Sequence, residues 1–456
     1  MTRVSTRESP VGGMLHPQHF DFAVLEQLYP DPRHLVVHLL FIAEHSPDLA
    51  EEAYVKTLEL LKSQLKNKTL FQRARDGLDA LRRQRGQGEG EEEGRREEKE
   101  WLSMTHSTLR GQVDRLQAEL AEARNGRIQE RIFLSHTQLA NVLIDAGDYE
   151  EAGRHLSRAR EYALSERQVR EIAMTFVDVN VLSGSYTHIR TKVSQLELEG
   201  FIGDRDGRIA LAPEQRQISS RLSASSALDL MASRVYAEVA QLLLVNTNLP
   251  DLEGYNPLPS RTALIYGVLS ALAVKDREFS RVHILNNPSL RSLLSFEPYL
   301  LDPVRMILQG DFSQGLSILL DYQDDFRLDP LLYKTFPDLL QKIRQACLIQ
   351  CLSTYSRVHL DALYNRMGQS FGGVDEVEHE LTSLMRANRL PAYRLDLARG
   401  IVHRKPLPST LPSSVRAKDG LVEKAIRIGR AYEEECEELE TFLQLHLSGL
   451  STSTLS

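Results

Sequence analysis

The chain has 456 residues, 42% of them hydrophobic and 26% charged, with a formal net charge of -8. That length exceeds one ordinary core and predicts two or three domains, while the acidic balance provides no general attraction for phosphate backbones. Apolar runs such as LVVHLLFIA at 35–43 are broken by His38 and fall short of the roughly 20 residues a membrane span needs, the N-terminal MTRVSTRESPVGG has no secretory apolar stretch, and there are only three cysteines, so a soluble protein of nucleus and cytoplasm, with no membrane partner, is expected.

Residues 1–19 are polar and punctuated by Gly and Pro, and are expected to be flexible. From Phe20 apolar residues recur at helical spacing, which predicts an N-terminal helical region over 20–81. The segment RRQRGQGEGEEEGRREEKE, 82–100, is all charge and glycine, and is expected to be a solvated linker or insert. Helical spacing returns through Leu109, Val113, Leu116 and Leu120.

Over 101–250 the pattern predicts tetratricopeptide-like helical repeats. LANVLIDAGDYEEAGRHLSRAREYA and FVDVNVLSGSYTHIRTKVSQLEL carry matching punctuation. Gly147, Tyr149, Ala152, Leu156 and Ala159 of the first are answered by Gly184, Tyr186, Ile189 and Val193 of the second. The glycines repeat at about the 34-residue period of that repeat class, each supplying a left-handed turn residue. MASRVYAEVAQLLL at 231–244 reads as a degenerate third copy.

After Pro250 and Pro257 a helical part is expected over 258–337, followed by a winged helix over 338–406. DLLQKIRQACLIQCL sets Leu340, Ile343, Cys347 and Cys351 on one face. SRVHLDALYNRMG gives a short extended piece and a short helix. VDEVEHELTSLMRAN is a third helix, with Val377, Leu381, Leu384 and Met385 inward and Asn388 able to end it in the left-handed conformation. YRLDLARGIVHR reads as two strands around Ala398, Arg399 and Gly400. A last charged helix, within 415–446, has an apolar seam through Leu421, Ala425, Ile428, Tyr432, Leu439 and Phe442, and a tail follows at 447–456. Heptad-like spacing makes that seam a candidate subunit interface. Its acidic flanks, Glu433, Glu434, Glu437, Glu438 and Glu440, disfavour pairing with a copy of itself.

Tests for chemistry of the chain's own give little. A zinc isopeptidase needs H-x-H and a distant Asp, and no H-x-H occurs. His34 and His38 stand one helical turn apart without a glutamate between them, which favours an ordinary helix face. Cys347 and Cys351 have no second ligand pair nearby, which favours core packing. Neither a cofactor nor a metal is expected. Nucleic-acid binding through the third helix is opposed by Asp375, Glu376, Glu378 and Glu380 against Arg386 and Arg389. The wing, with Arg394, Arg399, His403, Arg404 and Lys405, is basic, and suits solvent or an acidic protein surface.

Helical repeats running into a winged helix and a final helix resemble the PCI family of scaffold subunits. The segments FIAEHSP (41–47), SRAREYA (157–163), YGVLSALAVKDRE (266–278), SFEP (295–298), IRQACLIQ (343–350) and VEHELTSLMRANRL (377–390) are similar to its signalosome branch, with the proteasome lid branch as the alternative. Asn388 stands where the family commonly has glycine, and Cys351 replaces an aromatic. The resemblance implies a mainly all-α scaffold without catalysis, in a complex that removes Nedd8 from cullins and so regulates cullin-RING ligases, with a zinc isopeptidase in another subunit. It also implies winged helices packed edge to edge. That makes Arg357 and Val358 on the extended piece, and Arg394 and Arg399 on the wing, candidate contacts with other PCI subunits.

Overall fold

The computed structural model describes residues 15–85, 92–198, 213–295 and 297–405. Two compact units divide it, Met1–Leu390 and Pro391–Ser456. The first is helical, and its N-terminal elements are α1 (Phe22–Leu28), α2 (Pro32–His45), α3 (Ala50–Ser63) and α4 (Lys68–Gln84). Side-chain oxygens of Asp21, Asp31 and Asn67 cap α1, α2 and α4 by accepting from otherwise unpaired first-turn N–H groups.

Of the span 82–100, expected as a linker, α4 takes in residues 82–84 and helix α5 (Glu92–Asn125) residues 92–100, while 86–91 lie outside the described residues. Composition alone misreads this stretch because its anchors are long-range. Glu98 pairs with Lys62 at 3.2 Å and with Arg75 at 3.2 Å, and Trp101 packs on Phe71 with ring centroids 4.8 Å apart.

The helical repeats follow as α6 (Gln129–Ala146), α7 (Tyr149–Glu161), α8 (Glu166–Leu182) and α9 (Ile189–Leu198). Both predicted turn glycines are left-handed, Gly147 at φ 86° and Gly184 at φ 69°. The N–H of Gly147 donates to Ile144 O and that of Asp148 to Leu143 O, satisfying carbonyls the helix end leaves free. Asp148 then caps α7. Next come α10 (Pro213–Ala232) and α11 (Tyr236–Gln241). The third hairpin turn lies between them, with Arg234 at φ 61° doing what glycine does in the others.

Helix α12 (Ser260–Val274) is buried almost all round, as its unbroken apolar composition demands, and packs against α11. After it come α13 (Arg277–Ser280), α14 (Pro288–Ser295), α15 (Pro298–Gln309), α16 (Phe312–Asp321), α17 (Gln323–Phe326) and α18 (Pro330–Ser353). The expected boundary at 337/338 falls inside α18, at Pro337. The α15–α16 turn repeats the chemistry of the α6–α7 turn. Gly310 has φ 95°, its N–H and that of Asp311 donate to Ile307 O and Met306 O, and Asp311 caps α16. GDYEEA at 147–152 and GDFSQG at 310–315 show this match in the sequence, but at a distance far beyond one repeat period.

The N-terminal block does not stand apart from these later elements. The Tyr29 hydroxyl meets Thr262 Oγ1 at 3.5 Å, Arg33 pairs with Asp145 at 2.7 Å, and Leu328 is buried in the same cluster as α2, α3 and α4. The spans 20–81, 101–250 and 258–337 all fall within the first unit. The boundary between the two units, at Leu390 and Pro391, falls within the span 338–406.

Candidate assembly surface

In the first unit, β1 (Arg357–His359) leads into α19 (Leu360–Met367) and then α20 (Val374–Arg386). Arg357 is exposed and Val358 half-buried. Helix α20 buries Val377, Leu381 and Leu384, while Met385 is only half-buried. Asn388 ends the segment at φ 54°, a conformation that asparagine tolerates better than most residues.

The carboxylates of α20 are partly engaged within the unit. Glu380 accepts from Gln341 Nε2 at 2.8 Å and from Gln345 Nε2 at 2.9 Å, and Glu376 accepts from the Gly372 N–H at 2.5 Å and lies 3.7 Å from Arg344. Glutamates held this way brace α20 against α18. They leave an acidic face that opposes entry into a phosphate-lined groove.

In the second unit, β2 (Tyr393–Asp396) and β3 (Ile401–Arg404) pair antiparallel, with Tyr393 opposite Arg404 and Asp396 opposite Ile401. Gly400 at φ 62° closes the hairpin, and the Arg399 N–H donates to Asp396 Oδ1 at 3.3 Å. Ile401 and Val402 are buried. Arg394, Arg399, Arg404 and Lys405 are exposed, together with Leu397 at the turn, which is 63% exposed. A basic hairpin tip bearing one exposed leucine has the composition of a protein contact. The Lys405 ammonium is partly spent on Pro391 O at 2.8 Å.

Arg357 and Val358 thus sit on β1 in one unit, and Arg394 and Arg399 on the wing in the other. The seam expected at Leu421, Ala425, Ile428, Tyr432, Leu439 and Phe442 lies outside the described residues.

The residue pairs weighed for chemistry are packed into the core. His34 is buried and His38 half-buried, the first 3.6 Å from Asp178, the second stacked on Tyr29 and pushed down to about 3 by desolvation and by His34. Burial pushes the Cys347 thiol up to about 12 and raises that of Cys351 as well, which suppresses the reactive thiolate. Among the described residues no group of three or more His, Cys, Asp and Glu is placed to hold a metal ion, and no helix is long and apolar enough to cross a membrane. Sequence reasoning missed one buried pair, His136 and His155, whose Nδ1 atoms are 3.0 Å apart, with Arg124 Nη2 3.3 Å from the far side of His136. The pair lies on facing helices, α6 and α7, so only their pairing reveals it.

Comparison with known proteins matches two stretches of the chain. A family model described as 26S proteasome subunit RPN7 matches residues 98–279, and a PCI domain model matches residues 319–405. COP9 signalosome complex subunit 1 of Emericella nidulans is 26% identical over 313 residues, covering 66% of this chain and 60% of that protein. The protein of the same name from Neurospora crassa is 26% identical over 340 residues, 74% of this chain and 73% of its own length. A 26S proteasome non-ATPase regulatory subunit 6, from Dictyostelium discoideum, is 22% identical over 183 residues, 40% of this chain and 46% of that protein. The chain spans about 60% of the length of the Emericella relative.

Proposed function

We propose that this chain is a non-catalytic scaffold subunit of a COP9 signalosome, in the place its relatives hold as subunit 1. One observation carries the reading: similarity to those relatives runs through the helical array and the PCI domain together, over 66% and 74% of the chain, against 40% for the proteasome relative. The histidine and thiol pairs are used in packing, which supports a structural role. In this reading the partners are other PCI subunits, a zinc isopeptidase carried by a neighbouring subunit, and cullin-RING ligases as substrates of the whole complex, in the nucleus and cytoplasm.

Affinity purification of the full chain followed by mass spectrometry tests the proposal. Other PCI subunits and a zinc isopeptidase are expected in stoichiometric amounts, while the isolated chain leaves a neddylated cullin uncleaved. The second reading, a proteasome lid subunit, draws on the name of the family model over 98–279, and proteasomal ATPases in place of the isopeptidase would establish it. Replacing Ile428 and Leu439 with Asp is expected to abolish co-purification with little change in the melting temperature of the free chain. A clearly destabilised free chain would instead mean that the last helix folds back on its own domain.

A further inference from the structure

A row of hydrogen bonds runs from Arg124, in the last turn of α5, through His136 on α6 to His155 on α7. A guanidinium only donates, so His136 Nε2, 3.3 Å from Arg124 Nη2, is the acceptor. Burial, then His155 and the two arginines Arg124 and Arg158, hold His136 down to about 4. Burial and the same arginines lower His155 from an ordinary value near 6.5, so both rings are neutral at pH 7. A neutral His136 that accepts at Nε2 carries its proton on Nδ1 and donates it to His155 Nδ1 at 3.0 Å. His155 therefore carries its own proton on Nε2.

The row ends on that N–H, which has no acceptor among the described residues. It is not sealed in. The side-chain atoms buried there without a partner are Ser46 Oγ, Thr247 Oγ1, Asp325 Oδ2, Arg327 Nε and Arg344 Nε, and His155 Nε2 is not one of them. Arg158, one helical turn further along α7, is exposed and has no hydrogen bond or ion pair among the described residues. Glu151, the carboxylate that acts on His155, is spent on Arg154. The end of α7 lies beside the start of α6, since Tyr162 packs against Leu120, Ala123 and Ile132. Ile128 at the α5–α6 turn and Leu164 at the α7–α8 turn stand at this same end, 46% and 62% exposed.

We infer that this end of the repeats is a docking surface for an acidic segment of a partner protein, one side-chain carboxylate of which accepts from His155 Nε2–H and from Arg158. A carboxylate offers two acceptor oxygens to two adjacent donors, one of them charged, which makes the stronger class of hydrogen bond. Exposed Ile128 and Leu164, beside arginine, supply the apolar contact that protein interfaces combine with such pairs. Glu122, Glu130 and Glu161 are also exposed at this end. They confine the positive charge to the neighbourhood of the histidine pair, which opposes a polyanion such as nucleic acid. They also disfavour the second charge of a phosphate group.

Histidine-selective nitrogen NMR on the full chain tests the donor. At pH 7 His136 is expected as the Nδ1–H tautomer and His155 as the Nε2–H tautomer, with His155→Gln used to assign the signal, and a His155 proton found on Nδ1 would overturn the inference. Calorimetry with blocked Leu-Glu-Leu and Leu-Gln-Leu peptides tests the docking. Saturable binding of the first but not the second is expected, weakened roughly tenfold in Arg158→Gln, as for loss of a charge-assisted hydrogen bond. Leu164→Ser, which keeps both donors, is expected to weaken binding a few-fold. Equal binding of the two peptides, no saturation by Leu-Glu-Leu, or unaltered affinity in Arg158→Gln would also overturn it. The peptide comparison needs only the wild-type chain and so decides even if a variant unfolds. Tighter binding of a blocked Leu-phosphoserine-Leu peptide would replace the carboxylate with a phosphate and sink the assignment.

Discussion

Two helical hairpins, α6–α7 and α15–α16, turn on the same Gly-Asp pair and differ in what stands behind the turn. Gly147 and Gly310 are both left-handed, and each is followed by an aspartate that caps the next helix. A Cβ on Gly310 would meet nothing within 4 Å, whereas one on Gly147 would lie 2.2 Å from Asn67 Nδ2. The same glycine therefore answers one requirement in the α15–α16 hairpin and two in the α6–α7 one, where it also lets the cap of α4 approach. A turn motif reports its backbone conformation and is silent about its neighbours.

Substitution at the two glycines probes that difference most strongly. Gly147→Ala is expected to lose about 2–4 kcal/mol, from left-handed strain and from displacing Asn67, against about 1 kcal/mol for Gly310→Ala. Denaturant unfolding of both variants measures the gap. In an Asn67→Ala background, which itself loses a helix cap, the added cost of Gly147→Ala is expected to fall to that of Gly310→Ala. Equal costs in the wild-type background would break the comparison.

Acid provides a second contrast, because only the N-terminal hairpin buries a histidine pair. Burial, then His155 and the cations Arg124 and Arg158, push His136 down to about 4, and burial and Arg158 lower His155 against the opposing pull of Glu151. The folded pKa lies below the unfolded value near 6.5, so the unfolded state binds protons first as pH falls. Stability from these groups is complete above about pH 6.5 and is lost progressively toward pH 4. Hydrogen exchange in α6 and α7 is expected to accelerate over that window while α15 and α16 change less. His136→Gln is expected to flatten the response, and an undiminished response in that variant would mean that other groups control it.

The smallest effect is a gain. Arg234 is exposed and holds a left-handed φ of 61° at the α10–α11 turn. Arg234→Gly is expected to stabilise by about 0.5–1 kcal/mol as that strain is relieved, read as a rise in melting temperature.

These positions also mark how far the sequence could be read. Gly147 and Gly184 were legible as turns because glycine is the residue that a left-handed φ favours, and the strands around Gly400 were legible by alternation. Arg234 was not, since arginine carries no turn signal. Helix α5 was obscured by the glycines and charges at its start, because its partners Lys62, Arg75 and Phe71 lie in earlier helices. The contacts that join the N-terminal helices to later ones were hidden for the same reason. Among the candidate contact residues, the exposure of Arg357, Arg394 and Arg399 followed from strand and hairpin positions. The engagement of Glu380 by Gln341 and Gln345 depended on a helix packing angle that one chain of letters does not contain.

Tyr29 and Thr262, which meet in the interior of the first unit, are separated by 233 residues. A ribosome adding about 5–20 residues per second needs roughly 10–50 s to cover that distance. Throughout that interval the α1–α2 junction at Tyr29 lacks the Thr262 contact that it later makes. Nascent chains are therefore expected to recruit chaperones at the N-terminal helices, and chains stopped before Thr262 to be cleared rather than stored.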